Sequence, residues 1–386
     1  MADRPVITAC GQTPALRAPT LASISTADLL FQAADTARRH AGLAWSDIDG
    51  LAVASFTLAP DHAIDLAVSW NLQLRWIMDS ALGGASGIDM LEHAVAALNL
   101  GSCSTVLMVA GDHFEADDFT RLVRSYNRSA STDFPGLAGA GPNAFFAMVT
   151  QEQMAQTGLQ REDYGSIAVR QRQWASYNPN AAFRTPLTLQ EYLAAPIIAD
   201  PLGRYDCVPV TSGASALIVQ TKSGQSSQSR SNAPAVAVRA IGAHHNVDAQ
   251  DGDGTRTGLR ELAPHLWARA GASPADMDVI SVYDDYPAMV VAQLIDAGFL
   301  HPNRVRGDLV RLLQGDRPAL NCFGGQLSAG QSGAGAGLQG LVEVVSCLLG
   351  QGPPGTEGAR LGFVSGYGMV TYRYGSCANA TVLEVT

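Results

Sequence analysis

No apolar run in the sequence approaches the roughly 20 residues that a membrane-spanning helix needs. The N-terminus also lacks the basic-then-apolar order of a secretory signal, so the cytoplasm is the expected location. Cysteine is sparse and scattered: Cys10, Cys103, Cys207, Cys322, Cys347 and Cys377 lie far apart. There is no Cys-x-x-Cys pair and no histidine cluster beside them, which removes the usual zinc and disulfide patterns; no metal is expected in this chain. Long runs of one charge are missing as well. With a formal charge of −10, the chain would be repelled by nucleic acid and by anionic membrane surfaces, which leaves small molecules and proteins as partners. What is present is ordinary globular composition: 386 residues, 47% hydrophobic and 16% charged, enough for a sizeable core without staples.

Pro5 to Cys10 reads as a short buried strand, and Ser25 to His40 as a helix. Ser25 or Thr26 can cap that helix, apolar residues recur at Leu29, Leu30, Ala33, Ala34 and Ala37, and Arg38, Arg39 and His40 suit its negative end. Leu51 to Phe56 follows as a strand, so the opening is βαβ-like. Gly83-Gly84 stands at a strand-to-helix turn, ahead of a helix over Ala85 to Leu100 and a strand over Thr105 to Ala110. From Asp112 to about Tyr205 the texture changes to aromatics, arginine, asparagine and proline, with short helical stretches around Ala144 to Gln156 and Tyr164 to Trp174. We read residues 112–205 as an inserted loop domain. Val208 to Gln220 is strand-like again. Lys222 to Pro234 is a polar connector, which divides the chain into residues 1–222, a linker over 223–234 and residues 235–386.

The second part replays the first. Asp47-Ile48-Asp49-Gly50-Leu51-Ala52-Val53 is echoed by Asp276-Met277-Asp278-Val279-Ile280-Ser281-Val282. The glycine-rich turn and helix at 83–101 are echoed by Gly333 to Gly350, and Gly213 to Val219 by Cys377 to Leu383. Matches in the same order point to a duplicated α/β unit.

Several stretches resemble the thiolase superfamily. Gly83-Gly84-Ala85-Ser86-Gly87 followed by Val106 to Asp112 is similar to its nucleophile loop, helix and strand. Asp200-Pro201-Leu202, Asp206-Cys207-Val208-Pro209 and Ser212-Gly213-Ala214 resemble the end of the insertion in sterol-carrier-type thiolases. Asn321-Cys322-Phe323-Gly324-Gly325 with Gly330-Gln331-Ser332 resembles the Asn-x-x-Gly-Gly and Gly-His-Pro region. The resemblance implies two duplicated α/β halves in a layered αβαβα core, an acyl-CoA substrate and a homodimer. It also shows what is gone. Where thiolases place their nucleophilic cysteine this chain has Gly84, and where they place a histidine it has Gln331. An Asn or His motif reads Tyr283-Asp284-Asp285-Tyr286, and in place of the second cysteine Val364 precedes the glycine-rich loop Ser365-Gly366-Tyr367-Gly368.

Glycine offers nothing to acylate, so chemistry through an acyl-enzyme at this position is excluded. Backbone N–H groups around Gly84, Gly366 and Gly368 would remain to hold a thioester oxygen as charge develops on it. A retro-aldol cleavage of a β-hydroxyacyl-CoA needs a base, an acid and an oxyanion hole but no covalent nucleophile. Tyr283 and Tyr367 are the candidates for proton transfer, and Gln331 for orienting the carbonyl; Tyr283 reads equally well as a packing residue, and Tyr372 and Tyr374 read better as packing than as proton-transfer groups. The chain resembles here the thiolase-like aldolases of steroid side-chain degradation, which implies a small zinc-ribbon/OB-fold partner, no covalently bound cofactor, and the coenzyme A thioester itself as substrate. Two alternatives stand: an acyltransferase using Cys322 as a substitute nucleophile, and a non-catalytic CoA-binding subunit.

Other signals are weaker. Gly335-x-Gly337-x-x-Gly340 matches a dinucleotide fingerprint but follows a Gly/Ser loop in place of a strand, so helix packing explains it better. His244-His245 with Asp248, Asp251 and Asp253 fits neither a zinc site nor a full calcium loop. Arg121, Arg124, Arg128, Arg170, Arg172 and Arg184 make the insertion locally basic; CoA phosphates and ion pairs with Glu152, Glu162 and Asp163 are both open readings.

Overall fold

The computed structural model describes residues 4–17, 23–58, 62–115, 117–125, 141–221, 234–247, 252–315, 317–370 and 375–386. Most of the connector at 222–234, together with Arg128, Asp248, Asp251, Tyr372 and Tyr374, lies outside the described residues.

The chain begins β1 (Val6–Gln12), α1 (Thr26–Ala41), β2 (Gly50–Ala54), α2 (His62–Ser69), β3 (Trp76–Asp79), α3 (Ser86–Asn99) and β4 (Thr105–Asp112). The insertion carries α4 (Asp118–Ser125), α5 (Gly141–Thr157), α6 (Arg161–Ala175), α7 (Leu189–Ala194) and the small pair β5 (Ile197–Ala199) and β6 (Leu202–Gly203), before β7 (Gly213–Gln220) returns to the main sheet. Then follow β8 (Val236–His245), α8 (Leu259–Ala270), β9 (Val279–Val282), α9 (Pro287–Asp296), α10 (Val305–Gln314), β10 (Ala319–Leu320), α11 (Gly325–Ala329), α12 (Ala336–Leu348), β11 (Leu361–Val370) and β12 (Gly375–Val385).

Local chemistry accounts for these elements. At the start of α1, Ser25 and Asp28 form a reciprocal capping box, and Gly42 closes the helix at φ 70°, where glycine meets no Cβ penalty. The stripe Leu29, Leu30, Ala33, Ala34 and Ala37 is fully buried. β4 is buried along its whole length, with Val106, Met108 and Ala110 facing one core and Leu107 and Val109 another, as the two-residue period of a strand requires.

The main sheet has the order β10-β9-β11-β12-β8-β1-β7-β4-β2-β3. From either edge the sequence of strands is the same: third, second, fourth, fifth and first of its half. The pairings match too. β2 is parallel to β3 and β4, as β9 is to β10 and β11; β4–β7–β1 and β11–β12–β8 are antiparallel, and an antiparallel β1–β8 pairing joins the halves. Helices α1 and α2 cover the outer face of one half and α8 and α9 the outer face of the other, while α3 and α12 fill the core between them. This is the expected αβαβα layering, and each repeat inferred from sequence falls on matched elements.

The two central helices meet main chain to main chain. A Cβ on Gly87 would run into the Gly337 carbonyl, and one on Gly337 would lie 2.6 Å from the Gly83 carbonyl oxygen. Gly340 packs on Ser281 and Val364, so the Gly335-x-Gly337-x-x-Gly340 pattern is helix packing. Two expectations need correction. The strand expected over Val208 to Gln220 starts only at Gly213, because residues 209–212 bond instead to Leu16 and Gln331 in isolated bridges. The glycine-rich stretch 365–368 is no loop but part of β11, paired with β12 through Gly366–Asn379 and Gly368–Cys377. Its glycines are selected by what lies on top of the strand, described below.

Asp112, at the end of β4, ties the halves together. Its Oδ1 accepts from the Ser55 hydroxyl, the Phe56 and Thr57 N–H groups and the Thr57 hydroxyl at 2.7–2.8 Å, and its Oδ2 accepts from the Ala334 N–H at 2.7 Å. Burial pushes its carboxyl up to about 6 despite these donors. Replacing it by alanine leaves several donors without a partner, each worth about 1–3 kcal/mol when buried. Asp112→Ala is therefore expected to lose about 3 kcal/mol or more of stability, read as a lower urea midpoint.

Candidate active site

The turn Gly83–Ala85 leads into α3 at the junction of the two halves. Strand β11 lies against it by its main chain, and β12 reaches it through a side chain. A Cβ at Gly368 would strike the Leu82 carbonyl and come within 3.0 Å of the Gly84 and Ala85 nitrogens; one at Gly366 would lie 2.9 Å from the Gly84 carbonyl oxygen and 2.9 Å from Ala85 Cα. The strand therefore needs glycine at both positions so that the turn can rest on it. Asn379, from β12, donates its amide to the Ala85 carbonyl at 2.9 Å. Gly366 and Gly368 thus shape the turn by close approach.

At Gly84 itself the decisive neighbour is aromatic. A Cβ built there would collide with Cε2 and Cζ of Tyr283 and with the Tyr367 carbonyl. The Tyr283 ring occupies the room that a side chain at position 84 would need.

Tyr283 is held there from its main chain. Gln293 of α9 donates to the Tyr283 carbonyl at 2.6 Å and accepts from its N–H at 3.3 Å, while also accepting from the Ser365 hydroxyl at 2.9 Å. One residue earlier, Asn321 does the same for Val282, donating to its carbonyl at 3.0 Å and accepting from its N–H at 2.9 Å. The Asn-x-x-Gly-Gly run is explained by this arrangement. Asn321 clamps the end of β9, and Gly325, at φ +52°, leaves room for the Asp284 carboxylate, into which any Cβ would project. Asp284 accepts from the Gln326 N–H and from Gln171 Nε2, both at 2.9 Å, and anchors the start of α11.

A small cavity of ≈ 10 Å³, the room of about one water molecule, lies beside Gly84 and Tyr283 and is lined also by Asp284, Gln326, Gln339 and Glu343. The acids that line it are raised by burial. Burial raises Asp284 well above the ordinary carboxylate range and raises Glu343 to about 7 against a hydrogen bond from Gln339. Next along the chain, Asp285 Oδ2 accepts from the Tyr283 hydroxyl at 3.2 Å, and burial lifts its carboxyl to about 7 against that bond. Part of Asp285 reaches the surface, yet its Oδ1 is enclosed with no hydrogen-bond partner.

The expected residues do not all converge. Tyr283, Gly84, Gly366, Gly368 and the Tyr367 main chain meet at the turn. The Tyr367 ring is buried in the same apolar cluster as Tyr283, Tyr286 and Phe363. Gln331 does not line the cavity; its main chain bonds Pro209 and Thr211, and its side-chain oxygen accepts from the Gly333 N–H at 3.3 Å. Cys322 sits in the central core, 3% exposed, with its sulfur 3.4 Å from that of Cys347. The hydrogen bond to Cys347 and burial push its thiol well up. Among the arginines of the insertion, Arg121 pairs with Asp118, Arg170 lies over Trp174, and Arg172 is buried between Ser328, Phe183 and Tyr205. Asp163 pairs with Arg306 of the second half. Asp284, Asp285, Gln293 and Glu343 were missed as site residues; the Tyr-Asp-Asp-Tyr run at the end of a buried strand was the available signal.

With this geometry in place, comparison with known proteins is informative. Residues 240–381 match the family model for the "Thiolase C-terminal domain-like" family. The chain is 27% identical over 341 residues, 83% of its length and 86% of the relative's, to a protein of Mycobacterium tuberculosis named 17-hydroxy-3-oxo-4-pregnene-20-carboxyl-CoA lyase. It is 26% identical over 343 residues, 84% of its length and 86% of the relative's, to a steroid side-chain-cleaving aldolase of Thermomonospora curvata. Residues 240–381 thus resemble the C-terminal domain of thiolases, and the chain as a whole is similar to these CoA lyases and aldolases. Among solved structures, one described as "Ltp2-ChsH2(DUF35) aldolase" superposes with a TM-score of 0.83 at 21% identity, covering 99% of this chain and 98% of that one, which bears out the fold. No helix among the described residues is long and apolar enough to cross a membrane.

Two outcomes are expected from the site. Gly84→Cys should lose about 1–3 kcal/mol by overpacking, and Tyr283→Ala should restore part of that loss in the double variant, giving a coupling energy in a double-mutant cycle by urea unfolding. Because folding raises the Glu343 carboxyl to about 7, the folded state holds a proton that the unfolded chain releases above about 4. Stability should therefore fall as pH rises from about 5 through about 7 and level off beyond. Glu343→Gln should make that fall shallower.

Proposed function

We propose that the chain breaks or makes a C–C bond beside a CoA thioester by an aldol route, as a retro-aldol cleavage of a β-hydroxyacyl-CoA that forms no acyl-enzyme. The observation that carries this reading is the Tyr283 ring in the space a side chain at Gly84 would require. A covalent nucleophile is thus replaced by a phenol, which can transfer a proton but offers no thiolate. The two relatives named as a carboxyl-CoA lyase and a side-chain-cleaving aldolase support the same reaction class.

In this mechanism a base takes the β-hydroxyl proton as the Cα–Cβ bond breaks. Its electron pair moves into the thioester, giving an enolate, and an acid then protonates Cα. Tyr283 and Tyr367 are assigned the proton transfers. The oxyanion is assigned to the main chain around Gly84, in the turn fixed by Gly366, Gly368 and Asn379, where the Ala85 N–H is already bonded to the Leu82 carbonyl. An acyltransferase acting through Cys322 has little support, since a thiol pushed upward beside Cys347 holds its proton at neutral pH. We further propose a homodimer that works with a small zinc-ribbon/OB-fold partner; the DUF35 component in the description of the structural relative supports the partner alone.

The test is to incubate the chain, with any protein that co-purifies, with a panel of β-hydroxyacyl-CoAs and to look for a released carbonyl compound. Tyr283→Phe should lower kcat by about 10²-fold or more, while Cys322→Ser should stay within about twofold of the parent, since a thiol outside the chemistry contributes only packing. Acyl-CoA binding without turnover would favour a non-catalytic subunit. A thioester trapped on the protein by mass spectrometry would overturn the aldol route.

A further inference from the structure

Asp285 has no role in the reaction as described so far, yet its surroundings are unusual for an acid at a helix entrance. It follows Tyr283 by two residues and faces back onto it, so that the phenol donates to its Oδ2 at 3.2 Å. That is longer than the ~2.7 Å usual between oxygens. Its other oxygen, Oδ1, is buried with no partner. The titratable groups that act on it are Tyr283, its neighbour Asp284 and Tyr286. Behind Tyr286 stands Cys207, and the Tyr286 hydroxyl is itself bonded to Asn143 of α5 at 2.7 Å. None of these supplies a positive charge.

We propose that Asp285 is the positioning residue of Tyr283 and the acceptor of its proton, so that the two side chains act as one base. The inference rests on the retro-aldol reading and deepens it. As the β-hydroxyl proton moves to the Tyr283 oxygen, the phenol's own proton moves to Asp285 Oδ2. The Cα–Cβ bond breaks, the electron pair enters the thioester, and the carbonyl product is left. Asp285, a residue partly open to solvent, then releases its proton to water, while a separate acid protonates the enolate carbon. A lone phenol ionises near 10 and is a poor base at neutral pH. A carboxylate behind it that titrates at about 7 supplies the missing acceptor in the range where a general base works best.

The experiment labels tyrosine with carbon-13 at Cζ, assigns the Tyr283 resonance by its loss in Tyr283→Phe, and follows it with pH in the full chain. A step with a midpoint near 7 is expected; it should vanish in Asp285→Asn and persist in Asp285→Glu, which keeps the carboxyl. With a β-hydroxyacyl-CoA that turns over, Asp285→Asn should lose on the order of 10²-fold in kcat, with little change in KM, and should lose the acidic limb of the pH–rate profile. A step that survives in Asp285→Asn, or a parental profile in that variant, overturns the proposal. Turnover without any step removes the coupling and leaves the retro-aldol reading standing. An Asp285-dependent step without turnover on any substrate removes that reading and leaves the coupling standing.

Discussion

The contact between two glycine-rich turns, one from each half of the chain, organises everything around it. Gly87 and Gly337 bring the central helices together at main-chain distance, and Gly366 and Gly368 let β11 pass directly beneath the turn at 83–85. Side chains of any size at these positions would push the halves apart. The close approach places the start of α3 and the end of β9 within reach of each other, and the site is what lies in the gap. Asp112 and Asn379 add polar ties across the same junction, so the geometry there is set by several interactions drawn from distant parts of the chain.

The site has an electrostatic character of its own. Asp284, Asp285 and Glu343 are all raised by burial, and each carboxyl is met by neutral donors. Burying ionised carboxylates without counter-charges is costly, so these groups keep protons that surface acids would release. An environment of this kind suits proton transfer, because small changes in hydration or in a bound thioester shift the balance between charged and neutral forms.

Much of the layered fold was legible in the sequence because its signals are local. The capped, amphipathic α1 and the apolar runs of β4 and β7 declare themselves by spacing, and the duplicated order emerges from comparing short segments. The glycine-rich stretch at 365–368 misled for a physical reason: its glycines read as a loop, whereas they serve contact with another segment nearly 300 residues away, which no local window records. Tyr283 was legible as a residue of interest, and the loss of a side chain at Gly84 was plain. That these are one steric event was not, since the ring enters the gap only once Gln293 and Asn321 have fixed the backbone of β9's end. Two adjacent acids at 284 and 285 look like a solvated turn until the fold encloses them.

The interlocking of Gly84 with the Tyr283 ring also constrains how such a protein can change over generations. A thiol at this turn and the tyrosine ring compete for one space, so each packs without strain only where the other is absent. An exchange of one for the other that avoids overpacking passes through small residues at both positions. A single change back to cysteine meets a space already filled and is opposed by the packing around it.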